Sequence, residues 1–101
     1  MYIVRNVFHA KPGSAMALAE AFKRAAPHME KSGVSKNTRV MTDTAASFWT
    51  VVVESEVENL NEYLDMSKAM REMGEVPEMK ALQEAYTNAA HGGHREIFKI
   101  V

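Results

Sequence analysis

Ser47-Phe48-Trp49-Thr50-Val51-Val52-Val53-Glu54-Ser55 is the strongest strand signal in the chain. Side chains of a strand alternate between two faces. Trp49, Val51 and Val53 therefore share one side, and Phe48, Thr50, Val52 and Glu54 share the other. Both sides carry large apolar groups. A strand of that kind belongs in the middle of a sheet covered on both faces.

Working outward, Asp43 to Ala46 is a short connection, and Val34 to Asp43 before it reads as a weaker, more polar strand suited to an edge. Ser32-Gly33 ends a helix expected over Met16 to Lys31, glycine being common just past a helix C-terminus. Leu18, Phe22, Ala25 and Met29 give that helix one apolar face. Pro27 lies inside it and should kink or restart it, and Ser14 stands at the N-cap position. Lys11-Pro12-Gly13 is a turn that closes a first strand over Tyr2 to His9. Downstream, Val57 to Met73 reads as a helix with Val57, Leu60, Leu64 and Ser67 along one stripe, ended by Gly74. Pro77, allowed in a first helical turn, opens a third helix to about Ala90. His91-Gly92-Gly93 breaks it, and His94 to Val101 is a closing strand.

The order β-α-β-β-α-(α)-β predicts an α+β, ferredoxin-like fold with a four-stranded antiparallel sheet. At 101 residues one domain, residues 1–101, accounts for the sequence. Helices cover one face of such a sheet. In the first strand, Tyr2, Val4, Asn6 and Phe8 share the face assigned to the helices with Trp49 and Val51. The other face presents Ile3, Val7, Phe48 and Val52, too apolar to leave in water. A two-fold pairing of two such faces covers both. The expected assembly is a homodimer, a dimeric α/β barrel.

The 12 basic and 13 acidic residues are spread along the chain, without the basic patch that nucleic-acid binding requires. Apolar runs such as Val51-Val52-Val53 are too short to span a membrane. The first residues show no signal-peptide pattern. The absence of cysteine excludes disulfides, thiolate metal sites and cysteine nucleophiles, and agrees with a cytoplasmic location. Neither a Gly-x-Ser-x-Gly elbow nor a phosphate-binding glycine loop is present.

The run Lys11-Pro12-Gly13-Ser14 before an alanine-rich helix, and Thr50-Val51-Val52-Val53-Glu54-Ser55-Glu56-Val57 leading into a helix, resemble the dimeric α/β-barrel superfamily. Within it the chain is similar to the antibiotic-biosynthesis mono-oxygenase-like proteins. The resemblance implies cofactor-independent oxygenation of a small aromatic or polyketide-like compound, with no cofactor required. Haem-degrading members place an asparagine, a tryptophan and a histidine around the haem. Asn6 matches the first, but Val53 stands at the tryptophan position and the histidine position falls near Met73. Haem chemistry is therefore not carried over.

No set of residues fixes a reaction, so the catalytic groups stay unassigned. The candidates for ligand contact are Asn6, Phe8, Trp49, Tyr63 and Met70. Asn6 is a mid-strand amide that either satisfies a neighbour or meets a ligand. Phe8 and Trp49 either wall a pocket or fill the core. Tyr63, Met66, Met70 and Met73 form a second stripe on helix two, and methionine adapts to irregular cavities as readily as to cores. His91 and His94 flank two glycines, but a zinc site needs three or four ligands and no supporting cluster is visible, so no metal is expected. Since no acid-base pair stands out, a non-enzymatic ligand-binding or interaction protein is the alternative function.

Overall fold

Alternation and turn chemistry place β1 at Tyr2–Ala10, ended by the Lys11-Pro12-Gly13 turn, where Gly13 takes φ of 80°. The computed structural model describes residues 1–71 and 76–101, and the side chains of all these except Met70 and Arg71. Helix α1 spans Ala15–Glu30, β2 Ser35–Thr42, β3 Thr50–Val57, α2 Leu60–Arg71, α3 Pro77–Ala89 and β4 Ala90–Lys99. The strands form one antiparallel sheet in the order β2-β3-β1-β4. This is the ferredoxin-like α+β fold expected from the sequence, with β1 and β3 central and β2 at an edge.

Ser14 is the N-cap of α1, but only its carbonyl takes part, accepting from Leu18 N–H at 3.2 Å; its side chain makes no cap bond. The helix runs through Pro27 to Glu30 without restarting. Its face of Leu18, Phe22 and Ala25 packs with Val51 and Val53 of β3 and Met79 and Leu82 of α3 in the larger core. A smaller core joins Val4, Val57 and Tyr63, with Leu60 and Met66 packed against it. Burial of groups of this size contributes about 1.5–3 kcal/mol each.

Three segments depart from the sequence expectation. β3 begins at Thr50 rather than Ser47, because Trp49 adopts a left-handed φ of 63° and breaks the alternation. Phe48 is thereby off the sheet and 86% exposed. β3 also continues to Val57, so α2 starts later than expected. Its cap is Asn59, whose Oδ1 accepts from Glu62 N–H at 3.0 Å and whose carbonyl accepts from Tyr63 N–H. With that start, Tyr63 is buried and Leu64 faces solvent, so α2 turns Leu60, Tyr63 and Met66 inward. Met73 and Gly74 lie outside the described residues. Lastly, His91-Gly92-Gly93 is strand, not break: β4 leaves α3 directly at Ala90.

The sheet face away from the helices carries one row of alternating charge across all four strands. Arg39 on β2 pairs with Glu54 on β3, which pairs with Arg5 on β1, which reaches Glu96 on β4 at 3.4 Å. Glu54 is buried between its two arginines. Burial pushes its carboxyl up, but the hydrogen bonds and charges of Arg5 and Arg39 outweigh that and hold it below the ordinary value. Ile3, Val7, Val52 and Phe98 flank the row on the same face.

Candidate ligand cavity

A cavity of about 710 Å³ lies between the sheet and the helices. It separates the two cores: Phe22, Val53 and Leu82 of the larger and Tyr63 of the smaller all face it. Its size falls in the range of small-molecule pockets, roughly 300–1,000 Å³. One wall is aromatic. Phe8 stacks on Phe22 with centroids 4.8 Å apart, and Tyr86 meets Phe8 edge-on at 5.5 Å.

The polar end of the cavity is built by register. Asn6 lies opposite Val53 on one side and Arg95 on the other, so all three side chains leave the sheet on the helix face. Arg95 Nε donates to Asn6 Oδ1 at 2.7 Å, and Asn6 Nδ2 donates to the Tyr63 hydroxyl oxygen at 3.2 Å. The Arg95 guanidinium also sits 5.3 Å from the Tyr63 ring centroid, within cation–π range. Further along the wall, Ser55 is satisfied by Thr38 at 2.9 Å. Among the described residues no carboxylate lines the cavity, and no three His, Cys, Asp or Glu side chains come together to hold a metal ion.

Of the side chains expected to meet a ligand, Asn6, Phe8 and Tyr63 are brought to this one cavity. Trp49 is not. Its left-handed backbone turns it to a separate recess of about 220 Å³ shared with Met16 and Phe48, although its carbonyl still accepts from Ala10 N–H. The side chain of Met70 lies outside the described residues. The sequence pattern does not single out Arg95. Its signal is positional: in a strand antiparallel to β1, one residue must stand opposite Asn6, and only the strand's true start reveals which.

No family model matches the chain, and no curated protein matches it. Solved structures do. A NIPSNAP-like domain protein from Burkholderia xenovorans superposes with a TM-score of 0.78 at 13% identity, over 99% of this chain and 84% of that one. A NIPSNAP family protein with unknown function from Agrobacterium tumefaciens gives 0.74 at 11% identity, over 99% and 87%. A candidate antibiotic biosynthesis monooxygenase from Nitrosomonas europaea gives 0.72 at 10% identity, over 100% and 99%. Identities this low establish a shared fold. The neighbours include the antibiotic biosynthesis monooxygenase-like group expected from the sequence.

Proposed function

We propose that the chain, acting as one domain over residues 1–101, forms a homodimeric barrel that binds a small aromatic or polyketide-like compound in the cavity beneath α2 and α3. The observation that carries this reading is the cavity itself: an aromatic wall of Phe8, Phe22 and Tyr86 together with a hydrogen-bonded polar cluster of Asn6, Tyr63 and Arg95. Such a site excludes water from a planar ligand and orients it by a few polar contacts. As the fold likeness suggests, the activity is cofactor-independent mono-oxygenation. An electron-rich ring methylene is oxidised to a carbonyl by O₂: one oxygen atom enters the product, and the other leaves as water with the two displaced hydrogens. The absence of any carboxylate along the described cavity wall favours the alternative, a protein that binds the same compounds without turning them over.

Binding is tested by titrating 2-naphthamide, a neutral planar probe, into the protein and into Met66→Trp, which fills the cavity from α2. Binding by the parent protein and its loss in a variant with an unchanged melting temperature is the expected result. Undiminished binding in the filled variant would place the probe elsewhere and sink the assignment. Oxygen uptake with a hydroxylated anthrone and no added cofactor then separates an oxygenase from a binding protein.

A further inference from the structure

The polar end of the cavity has a direction. Arginine can only donate, so the Asn6 atom facing Arg95 Nε must be the amide oxygen. The amide nitrogen therefore faces Tyr63, and the phenol oxygen must accept from it. Donor and acceptor chemistry thus fixes the orientation of the Asn6 amide. The relay runs one way, from Arg95 through Asn6 to Tyr63. What it leaves over is mainly donor: the Tyr63 O–H, the second Asn6 N–H and both Nη groups of Arg95.

Charge points the same way. Among the described residues Arg95 makes no ion pair, whereas Arg5 and Arg39 are both committed to Glu54. Arg95 is held instead by one neutral hydrogen bond and by the Tyr63 ring, which keep its guanidinium in place without neutralising it. A guanidinium with a free fork of N–H groups beside a phenol hydroxyl is suited to a planar anion, which two parallel bonds recognise.

We propose that the cavity holds its aromatic ligand by a carboxylate substituent, gripped between the free fork of Arg95 and the Tyr63 hydroxyl. The ring lies toward Phe8, Phe22 and Leu82. The ligand class is therefore an aromatic carboxylic acid rather than a neutral aromatic, and Arg95 is the residue that sets the preference. This inference rests on the cavity being the aromatic site.

The test compares two probes of one shape, 2-naphthoate and 2-naphthamide, by isothermal titration at low salt. The amide keeps a carbonyl acceptor but no charge. The parent protein should bind naphthoate at least about tenfold more tightly, since charge-assisted bonds are roughly twice as strong as neutral ones. Arg95→Gln should remove the preference, bringing the ratio of naphthoate to naphthamide affinity within about twofold of one. Arg95→Lys, which keeps the charge and loses the fork, should fall between. Arg95 is exposed on an edge strand, so these variants are expected to fold, and an unchanged melting temperature checks that. Equal affinity for both probes, or a preference that survives Arg95→Gln, overturns the carboxylate proposal and leaves the aromatic site standing. Failure of the parent protein to bind either probe overturns both.

Discussion

Glu54 is the carboxylate on which the open sheet face is organised, and its titration gives a signature. Its folded pKa lies below the ordinary value of 4.5 because the two arginines outweigh the burial that opposes them. A depressed carboxyl contributes stability that is complete above the unfolded value and is lost as pH falls through the lowered folded one. Unfolding free energy should therefore decline below about pH 4.5, and Glu54→Gln should flatten that decline. At pH 7 the variant should be less stable by about 1.5–3 kcal/mol, the usual worth of hydrogen bonds to charged groups. Urea denaturation from pH 3 to 7 measures it, and parallel pH profiles for the two proteins would show that Glu54 is not the titrating group. Alternation alone puts Arg5, between Ile3 and Val7 on the first strand, on the same face as Glu54. The same reading set Asn6 and Phe8 toward the helices, where they are. It failed at Trp49, because no sequence pattern announces a non-glycine residue in the left-handed region.

The strands and helices were legible in type and order, and their ends were not. A run apolar on both faces has no internal mark to say where it stops, so its pattern places β3 two to three residues early. That shift hides the Asn59 cap, since Val57, expected in the helix, is the last residue of β3. The glycine pair is the sharper case. Gly-Gly after a helix usually signals a break. Here Gly93 lies in the β1–β4 pairing, opposite Phe8, because the backbones approach too closely there for a side chain: a Cβ at 93 would stand 2.3 Å from the Val7 carbonyl oxygen. A Cβ at Gly92 would meet nothing within 4 Å. Gly93→Ala should accordingly destabilise by about 1–3 kcal/mol, the range for overpacked sites, while Gly92→Ala stays within about 0.5 kcal/mol. Because Arg95 hangs from the same strand, Gly93→Ala should also weaken 2-naphthoate binding. Equal stability of the two variants would mean that β4 moves aside freely and that its register does not hold the cavity.

At the level of assembly, the two-faced apolar strand remains the strongest clue, and the structure sharpens what must be covered. Phe48, expected on the open face, has left it, but Phe98 on β4 takes part in its place and is 50% exposed. Ile3, Val7 and Val52 surround the charged row of Arg39, Glu54, Arg5 and Glu96. A row of alternating sign is self-complementary, since a two-fold rotation can set the positive members of one copy against the negative members of the other. That arrangement suits the proposed homodimer better than a dry hydrophobic contact, and it makes the interface sensitive to one added charge. Val52 sits on the central strand, opposite Val7 on one side and Met41 on the other. A lysine there would be carried by both copies into the same interface, and each would lose solvation without gaining a partner. Val52→Lys should therefore shift sedimentation from dimer to monomer by at least about tenfold in dissociation constant, because desolvating an unpaired charge costs more than the about 1.4 kcal/mol which that factor represents. The cavity opens on the opposite side of the sheet, so the monomeric variant should still bind 2-naphthamide. A parent protein that sediments as a monomer at all concentrations would remove the homodimer, and the open face would then need another cover. A dimer that survives Val52→Lys would place the contact on another surface.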